Sequence, residues 1–98
     1  MNITQFSQAK NLLQNHANDF ASKTAQTMSI LQHKWTNNTT TAFEVHVITM
    51  LIIDQLVYQK NQKIYQASKG GITASIIEID DTITAKLYYS NNEIKVTL

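Results

Sequence analysis

The chain has 98 residues and no cysteine, so the length predicts one small domain that no disulfide stabilises and that has no thiolate site. Hydrophobic residues make up 43% of the chain, a share that is ordinary for folded domains and argues against disorder. The formal net charge is only +1 and the chain has no arginine. Because arginine is the usual residue for reading guanine edges and gripping phosphates, this composition argues against nucleic-acid binding.

The N-terminal residues MNITQFSQAKNLL lack the basic stretch followed by an apolar segment that marks a Sec signal peptide. The longest apolar-rich run, from Val45 to Tyr58, is too short and too polar to span a bilayer. We therefore expect no membrane insertion. The chain is expected to be cytoplasmic before any export, and export would use a route without a cleaved leader.

The first predicted element is a long helix from about Thr4 to Lys34. Apolar residues recur there at steps of three and four, which is the pattern of one helix face. They are Phe6, Ala9, Leu13, Ala17, Phe20, Met28, Leu31 and Trp35, and Thr24 occupies one position of the same series.

The polar stretch TNNTTT predicts the end of this helix and the start of a second one. Asn37 and Asn38 tolerate the left-handed conformation that ends many helices. Thr41 and Glu44 have the spacing of a capping box, in which each side chain binds a free N–H group of the other residue. A helical hairpin follows, with helix 2 expected from Ala42 to Lys69.

The middle of helix 2 is apolar around more than half of its circumference, which indicates burial on several sides. One hairpin partner cannot cover it, so either the C-terminal segment or a second subunit must. For the second case the predicted interface residues are Ile48, Leu51, Ile52 and Leu56. The run VHVITMLII is also β-branched enough for a strand, but the capping box and the length of the run favour a helix.

After Gly70 and Gly71, the only glycines, the spacing of apolar residues changes from three or four residues to two. This alternation is the pattern of half-buried strands. The segments ITASIIEI, TITAKLYY and EIKVTL predict a three-stranded antiparallel meander. A turn at Asn91-Asn92 would pair Tyr89 with Ile94 and Leu87 with Val96. The predicted fold is therefore α+β in one domain, residues 1–98, with a long antiparallel helical hairpin over 1–69 and a β-meander over 72–98.

Residues with catalytic or ligand-binding potential are few. His46 and Asp54 lie eight residues apart on helix 2, and no metal-binding or nucleophile motif accompanies them. Asp80-Asp81 has the character of a turn, because no further carboxylates follow at the spacing of a calcium loop. We therefore predict no catalytic residues, no metal and no cofactor, and a small enzyme that uses Asp54 and His46 is the least favoured alternative.

The hairpin with a Trp at its turn resembles the Trp-x-Gly family, which comprises small leaderless substrates and partners of the type VII secretion system. The family has Trp, then Gly two residues on, a small residue at four and an aromatic at eight, and here these positions hold Trp35, Asn37, Thr39 and Phe43. The resemblance covers about two thirds of the chain. It implies that Trp35, Asn37 and Phe43 form a turn that a partner reads.

The family's export signal places Asp four residues after a Tyr beyond helix 2, whereas Lys69 follows Tyr65 at that distance here. The resemblance implies a non-enzymatic secreted substrate, or a partner or adaptor of an effector. The protein partner would form a homodimer, or a heterodimer with a related hairpin or an effector's helical domain. The alternative is a bacterial adaptor, immunity or inhibitor protein that binds its target through the helix 2 face or through the edge of the strand EIKVTL.

Overall fold

The computed structural model describes the backbone of residues 1–33 and 41–98, and the side chains of residues 1–28 and 41–98. Within these residues the fold is α+β, with two helices that precede four strands. The helices are α1 (Ile3–His33) and α2 (Ala42–Asp54), and the strands are β1 (Ile64–Lys69), β2 (Ile72–Ile79), β3 (Thr82–Tyr89) and β4 (Asn92–Thr97).

Helix α1 confirms the predicted first helix. Its 31 residues give a length of about 46 Å at 1.5 Å per residue. A capping box begins it: Asn2 N–H donates to Gln5 Oε1 at 3.0 Å, and Gln5 N–H donates to Asn2 Oδ1 at 2.9 Å. The predicted face is buried from Phe6 to Thr24, and Met28 is half-buried. Leu31 and Trp35 belong to the part of this face that lies outside the described side chains.

The prediction that helix 2 continues to Lys69 is wrong, because α2 ends at Asp54 and residues 64–69 form strand β1. A polar loop that includes KNQK separates the two elements, and Asn61 in it has a positive φ of 70°. No Gly or Pro interrupts residues 42–69, so the sequence gives no signal that the helix ends within them. In β1, Tyr65 and Ala67 point to the core while Ile64, Gln66 and Ser68 point away from it.

The four strands form an antiparallel sheet in the order β1-β2-β3-β4, so each strand pairs only with its neighbours along the chain. The three predicted strands are present, and β1 is the additional one. Two-residue turns join them at Gly70-Gly71, Asp80-Asp81 and Ser90-Asn91, as the pairs Lys69–Ile72, Ile79–Thr82 and Tyr89–Asn92 show. The turns therefore recur every ten residues.

The predicted pairing of β3 with β4 is displaced by two residues. Leu87 pairs with Ile94 and Ala85 pairs with Val96, because the turn is at Ser90-Asn91 instead of Asn91-Asn92. Ser90 adopts the left-handed conformation with φ of 50°, and the Asn92 amide is fixed in β4 by donating to Thr27 Oγ1 on α1 at 2.7 Å. A displacement by two residues keeps every side chain on its predicted face, since the side-chain period of a strand is two.

Both helices pack on one face of the sheet, α1 mainly over β3 and β4 and α2 over β1 and β2. The helices are antiparallel, because the N-terminal end of α1 lies next to the segment that follows α2: Lys10 Nζ donates to the Leu56 carbonyl at 3.0 Å. The core between the layers holds alternate residues of the strands and one stripe of each helix. Its largest fully buried hydrophobic side chains are Leu13, Phe20, Val45, Ile52, Ile53, Leu56, Ile72, Ile76 and Leu87.

An aromatic cluster closes the end of the core where α1 begins. The rings of Phe6 and Tyr65 have their centroids 4.7 Å apart, and Tyr58 lies 5.7 Å from Phe6. The Tyr65 hydroxyl donates to the Gln59 carbonyl at 2.6 Å and accepts from Gln59 N–H at 3.0 Å. These contacts attach the loop between α2 and β1 to the sheet.

The turn between β1 and β2 contains two glycines that we expect to differ in their tolerance of substitution. Gly71 has φ of 79°, and a Cβ at this position would lie 2.8 Å from Tyr89 Cε2, whereas Gly70 with φ of 61° has open space. We expect Gly71→Ala to lower the free energy of unfolding by about 1–3 kcal/mol through strain and overpacking. Gly70→Ala, the matched control, is expected to cost about 1 kcal/mol. Urea denaturation of both variants checks the order, and equal losses would contradict the role of Tyr89.

Candidate interaction surfaces

The side of α2 that faces away from the sheet carries apolar side chains in contact with solvent. Phe43, Val47 and Leu51, spaced four residues apart, are 74%, 40% and 46% exposed. Met50 is half-buried beside them. We call Phe43, Val47, Met50 and Leu51 the α2 outer surface. Residues four apart lie on one helix face, so these side chains form a continuous stripe.

The opposite side of α2 explains which apolar residues the chain buries itself. Val45, Thr49, Ile52 and Ile53 are buried against α1 and the sheet. The buried Thr49 hydroxyl satisfies its hydrogen-bonding need within the helix by donating to the Val45 carbonyl at 2.7 Å. The apolar excess of α2 is therefore divided between the core and the α2 outer surface.

The predicted interface set separates into two groups. Leu51 lies on the α2 outer surface, and Ile48 is half-buried at its border. For Ile52 and Leu56 the prediction of an intermolecular surface does not hold, because both side chains are buried in this chain's own core. The reason is the sheet: it covers the side of α2 that the hairpin partner leaves open.

The predicted recognition turn falls mostly outside the described residues. Trp35 and Asn37 both lie outside them. Phe43 itself stands in the first turn of α2 with its side chain largely in solvent.

The start of α2 is fixed by the predicted cap. Thr41 has an extended backbone, and its Oγ1 accepts from Glu44 N–H at 3.1 Å. The reciprocal bond from Thr41 N–H to the Glu44 carboxylate is not among the hydrogen bonds of the described residues. This cap fixes the residue at which α2 begins.

The apolar pattern alone does not separate Phe43 and Val47 from the core residues of α2. A helix that is apolar nearly all round gives no direction for its buried side. The polar residues of α2 carry the missing signal: Asp54, seven residues after Val47, is exposed and lies on the same arc of the helix. The position of Asp54 therefore marks the solvent side of α2.

The structure does not bring the two residues of the enzyme alternative together. His46 and Asp54 are separated by eight residues on α2, about 12 Å along the helix axis. His46 is half-buried, whereas Asp54 is exposed. Among residues 1–28 and 41–98, whose side chains the structure describes, no three His, Asp or Glu side chains are grouped so that they could hold a metal ion.

The described part of the chain contains no helix with both the length and the apolar character needed to cross a membrane. Comparisons with protein-family models, with curated proteins and with solved structures find no match to this chain.

Proposed function

We propose that this chain is a non-enzymatic binding protein of a type VII secretion system, either a secreted substrate or a partner that pairs with an effector. Its α2 outer surface would dock against a helix of the other protein. The observation that carries the proposal is the exposed apolar stripe of Phe43, Val47 and Leu51.

The stripe has the features of a helix-docking surface. Contiguous exposed apolar side chains mark interaction sites in soluble domains. A second helix packed at about 8–10 Å would interdigitate with side chains spaced four residues apart. Covering each of these three side chains would contribute roughly 1 kcal/mol or more, at about 25 cal/mol per Å² of apolar area.

The link to type VII secretion is supported by the resemblance around the predicted turn. Phe43 fills the aromatic position of the family pattern and is also the first residue of the α2 outer surface. One residue would thus serve both the recognition turn and the docking stripe. Tyr65 and Lys69, at the positions compared with the export signal, lie in β1. A role as a partner of an exported protein therefore fits this chain better than independent export.

The double substitution Val47→Gln with Leu51→Gln tests the docking surface. It removes the exposed apolar groups while keeping good helix formers, so the melting temperature is expected to change by no more than about 2 °C. A photo-crosslinking amino acid at Val47 in the native cell is expected to capture a helical protein, and the same group at exposed Asn18 on α1 is not. The double variant should weaken binding of the captured partner at least tenfold.

Equal capture from both positions, or unchanged binding of the double variant, would contradict docking through α2. Light scattering of the purified chain tests whether the partner is a second copy. A homodimer would have twice the mass of 11.1 kDa, and the double variant would then be a monomer. Deleting the gene should also stop the export of the captured partner. Continued export, with docking intact, would favour an adaptor or inhibitor that acts outside a secretion system.

A further inference from the structure

Strand β1 forms an open edge of the sheet. Glu78 N–H donates to the Lys63 carbonyl at 2.8 Å, so Lys63 and Glu78 form a hydrogen-bonded pair of the two strands. Hydrogen-bonded and non-hydrogen-bonded pairs alternate along antiparallel strands. Ile64, Gln66 and Ser68 therefore direct their backbone N–H and C=O groups away from β2. Within the described residues, no loop or side chain forms a hydrogen bond with these outward backbone groups.

The other edge of the sheet, β4, has features that discourage the addition of a further strand, and β1 lacks them. The residues of β4 with outward backbone groups include the charged Glu93 and Lys95, and the Asn92 side chain is bonded to α1. Charged side chains on an edge strand discourage the addition of another strand. At β1 the corresponding residues are uncharged, and the Ile64 side chain is 58% exposed. Strand β1 is therefore the edge that accepts an added strand more readily.

A groove runs beside the β1 edge. It has a volume of about 360 Å³ and lies between β1 and the loop that follows α2. Its lining has no side chain that is charged at neutral pH, and it includes Gln55, Val57, Gln59, Gln62 and Gln66. A strand added to β1 would direct every second side chain towards this groove and the others onto the open sheet face beside Ile64 and Ile77.

Lysines stand at both ends of the open edge. Lys63 precedes β1 and Lys69 ends it; both are exposed, and neither forms a salt bridge within the described residues. They are separated by about 20 Å at 3.3 Å per residue. Pairing β1 with the β1 of a second copy, centred on Gln66, would place a Lys63 opposite a Lys69 at each end. Like charges directly opposite each other destabilise a strand pair, so the edge suits a different segment.

We propose that the β1 edge binds an extended segment of another protein that is uncharged in its middle and carries a carboxylate at each end. The backbone of the segment would pair with Ile64, Gln66 and Ser68, and its end carboxylates would lie opposite Lys63 and Lys69. Such strand addition takes its affinity from main-chain hydrogen bonds and its specificity from alternate side chains. This site is separate from the α2 outer surface and stands or falls independently of it.

The test uses the full chain and two synthetic peptides of about seven residues, the length that reaches from Lys63 to Lys69. Both alternate Val and Thr; one has Glu at each end and the other has Lys. The Glu-ended peptide is expected to shift and protect the amide signals of Ile64, Gln66 and Ser68 in NMR titration, and to bind at least tenfold more tightly than the Lys-ended one. Combined Lys63→Glu and Lys69→Glu substitutions should reverse this preference.

Proline substitutions provide the matched controls. Gln66→Pro removes an N–H that points away from the sheet, so the fold should tolerate it while strand addition is blocked. Lys95→Pro makes the same change on β4 and should leave peptide binding unchanged. Binding that survives Gln66→Pro, amide shifts confined to β4, or no binding of either peptide would overturn the proposal. A concentration-dependent dimer of the chain that Gln66→Pro dissociates would also overturn it, in favour of a second copy at this edge.

Discussion

Phe20→Ala is expected to lower the free energy of unfolding by about 3–5 kcal/mol, the cost of removing a fully buried aromatic side chain from a well-packed core. Phe20 is among the largest side chains with no exposure, and it lies in the middle of α1, which packs on β3 and β4. Small domains have total stabilities of about 5–15 kcal/mol. The variant should therefore be partly unfolded at 37 °C, and urea denaturation followed by circular dichroism measures the loss.

Phe43→Ala is the matched control, because it removes the same side chain from a site where most of it is already in water. Its expected cost is within about 0.5 kcal/mol, as for other surface substitutions. Similar losses for the two variants would mean that Phe43 contributes to the core as Phe20 does. In that case the α2 outer surface would not begin at Phe43.

Ile52→Asp is expected to have the second large effect and to prevent stable folding. Ile52 has no exposed surface and lies between α1 and the sheet, so the substitution places a carboxylate in the apolar core. The described core contains no basic side chain that could pair with it, and an unpaired buried charge costs several kcal/mol. Loss of the cooperative thermal transition in circular dichroism is the expected observation.

Leu51→Asp distinguishes the two sides of α2, since it introduces the same charge one residue earlier on the outer surface. This variant should fold with a stability within about 1 kcal/mol of the parent chain. Partner binding, by contrast, should weaken strongly if the proposed docking surface is correct. Unfolding by Leu51→Asp, or tolerance of Ile52→Asp, would contradict the orientation of α2.

The elements that sequence predicted best are those with an uninterrupted period. The stripe from Phe6 to Thr24 gave the position and buried face of α1, and the alternation in TITAKLYY gave β3 with its bounds. Strand β1 was hidden because IYQASK continues the apolar spacing of α2 and no Gly or Pro precedes it. The β3–β4 register was displaced because Ser90, a residue with little preference for a positive φ, takes the turn position.

The candidate surfaces were harder to predict than the elements. Four apolar residues of the predicted helix 2 gave the predicted interface, yet the packing on the sheet decides that Ile52 and Leu56 are internal and that Leu51 is not. The open edge at β1 depends on a strand that the pattern placed in a helix. Surfaces of this kind are defined by what the remainder of the chain covers, and that information is not local in sequence.

The order of the elements along the chain has a consequence for synthesis on the ribosome. All four strands follow both helices, so the apolar stripes of α1 and α2 emerge before the layer that covers them exists. The sheet itself pairs only neighbouring strands across two-residue turns, and such local contacts form quickly once the segment is free. Translation adds about 5–20 residues per second, so some seconds pass between the synthesis of the helices and that of the strands that cover them. During that interval the side chains of α1 and α2 that will face the sheet are open to chaperones, and the pairing of neighbouring strands then covers them.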